Sequence, residues 1–233
     1  MKDNLLFYGA YENFYSMAAR SEAFKEYCQD AFGEDFSQDG FSDLNQIKLI
    51  MSYLPKVEDM HILDVGCGNG KMLRYIQQQT GCFIHGFDYS ENAIQYAVSQ
   101  SGEKSEFKVG VIGKTEYPEN SFNAVISMDS VYFADDMVKF TGQVNRWLKK
   151  GGVFLIGYQE GDVMPKTENS KTTTIAQALD KNNMRCKVID ITDDTYYLLK
   201  KKRESILKFK SKFKNEGLCD WYHVVLYQTR CVK

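Results

Sequence analysis

The residue types best suited to chemistry lie in one stretch, residues 61–70, which has the sequence HILDVGCGNG. The apolar residues before Gly66 predict a short buried strand, and the glycines predict a sharp turn that leads into a helix over 71–80. Glycine suits this place because a backbone without a Cβ can turn tightly and lets a ligand approach closely. Asp64 stands at the carboxyl end of the predicted strand, where ligands bind in open α/β sheets.

A second acidic residue, Asp88, follows the next predicted strand (82–87) and lies 22 positions after Gly66. At about this spacing a carboxylate accepts hydrogen bonds from both ribose hydroxyls of a nucleotide held on the first turn. Because Asp64 also precedes the turn, the pattern predicts a site for a nucleotide-like ligand. A generic strand–turn–helix unit with a solvated Asp88 is the alternative.

The elements that must position these residues alternate between strand and helix, which predicts a parallel sheet covered by helices. The other predicted strands are 107–112, 122–128, 153–158, 186–191 and 221–231. The other predicted helices from residue 43 onward are 43–54, 91–99, 135–148, one that ends near Asn182, and 195–215. The last two strands lack a usual crossover, so we expect an antiparallel hairpin at the edge of the sheet.

The segment ahead of the first strand carries an aromatic face at helical spacing. Its members are Phe7, Tyr8, Tyr11, Phe14 and Tyr15, and a second helical face follows over 24–31. This face either packs as core or closes over the ligand as a lid. We expect an N-terminal helical cap or lid over 1–55 and a ligand-binding domain over 56–233, within one structural domain overall.

Together the motifs resemble those of the class I S-adenosylmethionine-dependent methyltransferases. ILDVGCGNG is similar to the first motif of that family, and GFDYS at 86–90 to its acidic second motif. FNAVISMDSVYF at 122–133 looks like its fourth strand and the following loop, and WLKKGGVFLIGY at 147–158 like its fifth strand with the preceding helix end. The resemblance implies an α/β, Rossmann-like fold with a seven-stranded, mostly parallel sheet, an antiparallel last strand and helices on both faces.

The resemblance also implies that S-adenosylmethionine is the cofactor and S-adenosylhomocysteine its product. It places Asp64 near the ammonium group, Asp88 on the ribose and Tyr89 beside the adenine. At the end of the third strand the family usually has an acidic residue followed by a small one, whereas this chain has Val111 and Ile112. The cofactor contacts expected in this way are Asp64, Gly66, Cys67, Gly68, Gly70, Asp88, Tyr89, Val111, Ile112 and Met128.

By analogy with the family, the loop after the fourth strand points at the reacting centre. Asp129 and Tyr132 are its polar residues and our candidates for catalysis, although a base is needed only if the acceptor loses a proton. Tyr158, Glu160 and Asp162 could line the same pocket or be hydrogen-bonded loop residues. The sequence D/N-P-P-Y/F/W, typical of amino-group methylation of bases and of protein glutamine, is absent.

Composition narrows the class of protein. Of the 233 residues, 43% are hydrophobic and 26% charged, as in an ordinary globular domain. The formal net charge of −2 gives no overall positive field that would attract nucleic acid or a membrane surface. No run approaches the ~20 apolar residues of a membrane span, and the start carries no secretory signal, so we expect a cytoplasmic protein. The six cysteines and three histidines lack metal-site spacings, so we expect reduced thiols and no metal.

The segment 200–214 contains eight basic residues and an apolar stripe. It predicts an amphipathic helix with a solvated basic face, and a patch for an acidic acceptor or RNA is the alternative. Nucleic acid is not expected, because aromatic residues do not interleave with the basic ones on that face. His223, in the middle of a predicted strand, is interpreted as structural.

The predicted function is methyl transfer from S-adenosylmethionine to a small-molecule acceptor by in-line displacement. An RNA or protein methyltransferase, a nicotinamide-dependent oxidoreductase and a non-catalytic binding protein remain alternatives. The glycine spacing G-x-G-x-G, rather than G-x-G-x-x-G, and the acidic residue before the turn argue against the oxidoreductase. The sequence does not indicate the acceptor, the atom that is methylated or the oligomeric state.

Overall fold

The computed structural model describes residues 7–158 and 171–232, so Glu160 and Asp162 lie outside the described residues. The strands are β1 (His61–Val65), β2 (Phe83–Asp88), β3 (Ser105–Val109), β4 (Phe122–Met128) and β5 (Leu148–Gly157). Three helices precede the sheet: α1 (Tyr8–Arg20), α2 (Glu22–Phe32) and α3 (Leu44–Ser52). The others are α4 (Lys71–Thr80), α5 (Glu91–Ser99), α6 (Met137–Trp147), α7 (Thr174–Lys181), α8 (Thr192–Lys208), α9 (Lys210–Asn215) and α10 (Cys219–Gln228).

The strands pair in parallel in the order β3-β2-β1-β4-β5. β1 is central, and the chain crosses from one side of it to the other between β3 and β4. The carboxyl ends of β1 and β4 therefore flank a point where the strand order reverses, which is where open α/β sheets bind ligands.

Side chains alternate between the two faces of each strand, so each face has its own core. Ile62 of β1 and Ile84 of β2 pack with helices α3, α4 and α5 on one face. Leu63 of β1 and Val125 of β4 pack with α6 on the other, where Trp147 is fully buried. The sheet is thus covered by helices on both faces, as predicted.

The predicted seven-stranded sheet with an antiparallel last strand is wrong, because the sheet of the described residues has five strands and all of its pairs are parallel. Residues 186–191, the predicted sixth strand, form neither helix nor strand. In that segment Val188 and Ile189 are 50% and 42% exposed. No described strand lies beside this apolar run to bury it. Without such packing, the β propensity of its residues does not suffice to form a strand.

Residues 221–231, the predicted last strand, instead lie largely within helix α10. Tyr222, Val225 and Thr229 are buried and recur at spacings of three and four, which is the helical period. The Trp, Tyr and Val content of the segment favoured a strand. As a helix, however, the segment buries its apolar side chains against the neighbouring helices, and this packing outweighs the local propensity.

Helix α10 belongs to a third core, which joins both ends of the described chain. Helices α1, α2, α8, α9 and α10, called the two-ended cap below, share one buried cluster that includes Phe24, Tyr27, Ile206 and Phe213. A hydrogen bond of 2.5 Å from the Ser21 hydroxyl to Glu216 ties the start of α2 to the segment after α9. The division of the chain at residue 55 stays a prediction.

Candidate functional site

The backbone of the glycine turn is fixed by the neighbouring strand. The amides of Gly66 and Cys67 both donate to the carbonyl of Phe87, at 2.9 and 3.0 Å. Gly66 has φ = 76°, and a Cβ there would lie 2.6 Å from the Cβ of Ser130. Only glycine satisfies both the backbone angle and the close approach of the loop after β4. The turn therefore presents bare main chain at the carboxyl end of β1.

Asp64 points into this region as a buried carboxyl that lacks a full set of partners. It is 2% exposed, and its Oδ1 has no hydrogen-bond partner within residues 7–158 and 171–232. Burial, together with the charge of Asp88, raises the pKa of Asp64 to about 8. A buried oxygen without a partner costs free energy until a donor reaches it, so the position is suited to a ligand that brings hydrogen-bond donors or positive charge.

Asp88 connects β2 to the glycine turn. Its Oδ2 accepts a hydrogen bond of 3.0 Å from the amide of Gly68, and its Oδ1 accepts one of 2.8 Å from the amide of Ser90. Burial raises the pKa of Asp88 to about 6, although these two hydrogen bonds act in the opposite direction. The backbone hydrogen bonds hold the carboxylate in place, and its four lone pairs leave room for a ligand.

A cavity of about 600 Å³ opens at the carboxyl ends of β1, β2 and β4. One side, called the turn wall, comprises Asp64, residues 66–69, residues 87–89, Gly110, Ile112 and Met128. The other side, called the cap wall, comprises residues of α1, residues 36–42, Asp129, Ser130, Tyr132, Phe133, and Trp221, Val224 and Gln228 of α10.

The cavity brings together most of the residues that the sequence singled out. The predicted cofactor contacts among its lining are Asp64, Gly66, Cys67, Gly68, Asp88, Tyr89, Ile112 and Met128, and both catalytic candidates line it as well. Gly70 and Val111 are not part of the lining. Gly70 is the N-cap of α4 with φ = 72°, and the amide of Val111 donates to Thr115.

Helix α1 covers the turn with its aromatic face. A Cβ on Gly68, where φ is 53°, would overlap the hydroxyl of Tyr15. The ring of Tyr11 lies 5.9 Å from that of Tyr89 and 6.0 Å from that of Phe133. Phe14 on the same helix lines the cavity too and is also buried in the core of the two-ended cap. The aromatic face therefore contributes to both core and cavity, which the sequence had left as alternatives.

Asp129 follows β4 in the left-handed region, with φ = 56°. Its Oδ2 accepts hydrogen bonds from the amide of Phe41 at 2.9 Å and from the hydroxyl of Ser42 at 3.2 Å. The pKa of Asp129 is raised, because burial outweighs the lowering by these hydrogen bonds and by the charge of Lys202. Tyr132, the other catalytic candidate, is 43% exposed, and burial followed by the charge of Asp129 raises its pKa.

The loop over residues 35–42 is held in place from the glycine turn. The side-chain amide of Asn69 donates to the carbonyls of Phe36 and Ser37, at 3.1 and 3.3 Å. Lys71, at the start of α4, donates to the carboxylate of Asp35 at 2.5 Å and to the Ser37 hydroxyl at 2.7 Å. The loop is thus tied to the turn on one side and to Asp129 on the other.

A buried ion pair completes this loop. The ammonium of Lys202 in α8 lies 2.9 Å from Oδ1 of Asp39 and is 1% exposed. The side-chain amide of Gln228 in α10 donates to Oδ2 of the same carboxylate at 2.7 Å. Three segments far apart in sequence therefore meet at Asp39. Lys202 is the one member of the basic run 200–214 whose side chain is nearly fully buried, so the predicted solvated face does not include it.

Sequence reasoning missed the cavity residues of the loop 36–42 and of α10. Neither segment carries a local motif, and α10 had been interpreted as a strand. The helical spacing of Tyr222, Val225 and Thr229 was a signal that could have located α10.

Among the described residues, no helix is long and apolar enough to span a bilayer, and no three His, Cys, Asp or Glu side chains group as metal ligands would.

The sheet is parallel, a glycine turn follows β1, and carboxylates stand near the end of β1 and at the end of β2. These features place this protein in the Rossmann-like class of nucleotide-binding folds. Residues 56–211 match the sequence model of a methyltransferase domain family. The chain belongs to that family, which confirms the resemblance to the class I S-adenosylmethionine-dependent methyltransferases.

Its similar proteins include phosphoethanolamine methyltransferases. Phosphoethanolamine N-methyltransferase 3 of Arabidopsis thaliana is 34% identical over 128 residues, which are 54% of this chain and 26% of that protein. The Plasmodium falciparum phosphoethanolamine N-methyltransferase is 30% identical over 129 residues, 54% of this chain and 48% of that protein. The chain thus spans about half or less of the length of these curated relatives.

A solved structure resembles almost the whole chain. Phosphoethanolamine N-methyltransferase 2 of Haemonchus contortus, in complex with phosphomonomethylethanolamine and S-adenosylhomocysteine, superposes with a TM-score of 0.74. The match covers 95% of this chain and 56% of that one, at 21% sequence identity. At that identity the similarity establishes the fold, including helices that flank the sheet, and not the acceptor.

Proposed function

We propose that this protein transfers a methyl group from S-adenosylmethionine to a small-molecule acceptor. The observation that carries the proposal is the buried Oδ1 of Asp64, which has no hydrogen-bond partner among the described residues and faces the cavity beside the glycine turn. A cavity of about 600 Å³ lies within the size range of small-molecule sites and is walled by helices on its outer side. A cavity of this size that is covered by helices on one side favours a small acceptor over a nucleic acid or a protein.

The walls offer a suitable group for each part of the cofactor. Asp64 would accept hydrogen bonds from the ammonium, and Asp88 from the two ribose hydroxyls. The main chain of residues 66–68 would lie along the methionine part, and Tyr89 and Ile112 would flank the adenine. When bound, S-adenosylmethionine supplies a methyl group on a positively charged sulfur, which an acceptor atom can displace.

The remaining task of the protein is to position the acceptor and exclude water. Asp129 and Tyr132 would face the acceptor from the loop after β4. The backbone of Asp129 is anchored to β5 by a hydrogen bond of 3.2 Å from its amide to the carbonyl of Gly157, and its side chain by the loop 41–42. Such anchoring keeps the carboxylate in one place, which is what orientation of an acceptor requires.

Replacing Asp88 by alanine should weaken the binding of S-adenosylhomocysteine by about tenfold or more, because two hydrogen bonds to a charged acceptor are lost. Isothermal titration calorimetry measures the effect directly. Asp135→Ala is the matched control, since the side chain of Asp135 is 84% exposed and pairs only loosely with Lys114, at 3.6 Å. Equal affinity in wild type and Asp88→Ala would remove Asp88 from the site.

The affinity should also rise with pH between about 6 and 8. The pKa of Asp64 is about 8, so the carboxyl is mostly protonated at pH 7 before the ligand binds. The ligand's ammonium favours the ionised form, so binding releases a proton, and the ionised fraction increases about tenfold per pH unit below the pKa. Affinity should therefore increase by up to that factor per unit and level off above about pH 8.

Calorimetry of S-adenosylhomocysteine binding at pH 6, 7 and 8, in buffers of different ionisation enthalpy, measures both the affinity and the protons released. In Asp64→Asn the rise between pH 7 and 8 should disappear. Below pH 7 a residual slope is expected from Asp88, whose pKa is about 6. A wild-type affinity that does not change between pH 7 and 8 contradicts the assigned role of Asp64.

We further propose that the first half of α1 acts as a lid over the cofactor. Tyr11 lines the cavity without belonging to the core of the two-ended cap, whereas Met17 and Ala18 are buried in that core, and Phe14 and Tyr15 between them contact both. The polar links from α1 to α5 are weak, with Glu12 and Asn92 joined at 3.2 and 3.4 Å. Such a division would let the aromatic face open while the end of the helix stays packed.

Hydrogen exchange should therefore be faster over residues 8–15 in the free protein than in the complex with S-adenosylhomocysteine. Aromatic contacts with the bound ligand would stabilise the closed position, so we expect at least about tenfold slower exchange there on binding. Helix α2, whose buried residues lie in the cap core, is the internal control and should not change. Strong protection of residues 8–15 in both states would identify them as fixed core.

A further inference from the structure

The charge of the cavity wall restricts the acceptor. Four acidic side chains line the cavity, Asp39, Asp64, Asp88 and Asp129, and within residues 7–158 and 171–232 the lining contains no Lys, Arg or His. Asp64 and Asp88 lie in the turn wall, where the proposed cofactor contacts are. Asp39 and Asp129 remain for the space beside the cap wall.

Lys202 approaches this wall but is not part of the lining. Its ammonium lies 2.9 Å from Oδ1 of Asp39, and it stacks over the rings of Phe32 and Phe41 at 5.5 and 5.8 Å from their centroids. The ion pair offsets the charge of Asp39 and leaves Asp129 as the remaining negative charge of the cap wall. No described cation of the lining can neutralise an anion placed there.

The cap wall is also rich in aromatic rings. They include Tyr11, Phe41, Tyr132, Phe133 and Trp221. Tyr132 and Phe133 have their centroids 5.0 Å apart, and Tyr11 meets Phe133 edge-on at 6.0 Å. Ring faces attract cations and also bury apolar groups, so the same wall suits a positive charge carried on an apolar body.

The hydroxyl of Tyr11 lies in the field of carboxylates from both walls. Burial first, and then the charges of Asp39, Asp88 and Asp129, raise the pKa of Tyr11. The space beside the cap wall, where the acceptor would bind, therefore adjoins the space beside the turn wall, and carboxylates lie where the two meet. A phosphate group there would face carboxylates with no described cation in the lining, whereas an ammonium would gain from both the charge and the rings.

We propose that the methyl acceptor is an amine, cationic in solution and carried on an apolar or aromatic body without a phosphate, and that Asp129 and the aromatic cap wall bind it. This inference rests on the proposed methyl transfer. It differs from the acceptor named for the phosphoethanolamine methyltransferases that the chain resembles.

The chemistry of such an acceptor assigns a second task to Asp129. A primary ammonium first gives one proton to the Asp129 carboxylate, which frees the nitrogen lone pair. The nitrogen then forms a bond to the methyl carbon while the electron pair of the methyl–sulfur bond goes to sulfur. The product is a secondary ammonium, and Asp129 returns its proton to solvent.

Calorimetry on the full chain saturated with S-adenosylhomocysteine tests the inference with three probes. 2-Phenylethylamine should bind about tenfold or more tightly than 2-phenylethanol, its uncharged counterpart, because only the amine gains from the negative charge and the rings. The affinity for 2-phenylethylamine should also exceed that for phosphoethanolamine, which carries a phosphate, by at least the same factor. Phosphoethanolamine binding as tightly as 2-phenylethylamine, or no saturable binding of 2-phenylethylamine, overturns the inference.

Two matched variants locate the effect. Asp129→Asn keeps an oxygen for the Phe41 amide but removes the charge, and it should reduce the preference for 2-phenylethylamine over 2-phenylethanol to the smaller part that the rings provide. Asp135→Asn, far more exposed and outside the lining, should leave the preference for the amine unchanged. A preference as large in Asp129→Asn as in the wild type removes Asp129 from the proposal.

The same titrations separate this inference from the proposed function. Saturable binding of S-adenosylhomocysteine without any preference for the amine contradicts the acceptor class and leaves methyl transfer standing. Failure of S-adenosylhomocysteine to bind contradicts the proposed function itself.

Discussion

Replacing Gly68 by valine should abolish cofactor binding, with a loss of about hundredfold or more in affinity for S-adenosylhomocysteine. Gly68 has φ = 53°, which a β-branched residue adopts only at a cost, and its amide donates to Asp88 at 3.0 Å. The new side chain would also overlap the hydroxyl of Tyr15 and fill the space in which the ligand contacts the main chain. Calorimetry measures the affinity, and circular dichroism confirms that the variant is folded.

Gly81→Val is the matched control for backbone strain. Gly81 caps the end of α4 with φ = 71°, yet a Cβ there would have no atom within 4 Å. The two variants therefore share the strain of a positive φ and differ in their surroundings. If folded Gly68→Val binds S-adenosylhomocysteine as well as Gly81→Val does, the glycine turn is not the cofactor site.

Replacing Lys202 by methionine should lower the free energy of unfolding by about 3–5 kcal/mol, because it leaves the Asp39 carboxylate buried without its cation. The side chains of Lys202 and Asp39 are 1% and 13% exposed, so little water reaches the pair to replace the ammonium. Methionine resembles lysine in helix propensity and length, so the loss is mainly electrostatic. Urea unfolding measures it.

Lys208→Met in the same helix is the control. Lys208 pairs with Asp30 at 2.5 Å, but these side chains are 60% and 35% exposed, so we expect a change of about 0–1 kcal/mol. The double variant Lys202→Met with Asp39→Asn removes both charges and should recover most of the lost stability. Equal effects of Lys202→Met and Lys208→Met would show that the Asp39 pair is not buried in solution.

Where local sequence determines structure, the sequence predicted it well. The predicted helices 71–80 and 91–99 coincide with α4 and α5 because their ends are set by single residues. Gly70 and Gly81 both adopt the left-handed conformation at the ends of α4, and the Ser90 hydroxyl accepts from the amide of Ala93 at the start of α5. Asp64 and Asp88 were identifiable for the same reason, since each belongs to a short motif beside a turn.

Where distant segments decide the structure, the sequence was insufficient. The predicted strand 107–112 corresponds to β3, but the chain leaves the sheet at Val109, so Ile112 reaches the cavity and Val111 does not. Predicted strand 153–158 corresponds to β5, which begins already at Leu148 through an irregular pairing with β4. The partners of Asp39 come from α8 and α10, which no local pattern could indicate.

The two-ended cap has a consequence for the order in which this chain becomes a working protein. Ser21 contacts Glu216 across 195 positions, so α1 and α2 leave the ribosome long before their packing partners exist. The strands β1 to β5 are complete by Gly157 and can pair while the rest is still being made. The faces of α1 and α2 that pack against α8, α9 and α10 have no partner until then, and the cavity acquires its last wall only when α10 has been synthesised. A ribosome that stalls before Cys219 would therefore carry a paired sheet and an open, unfinished site.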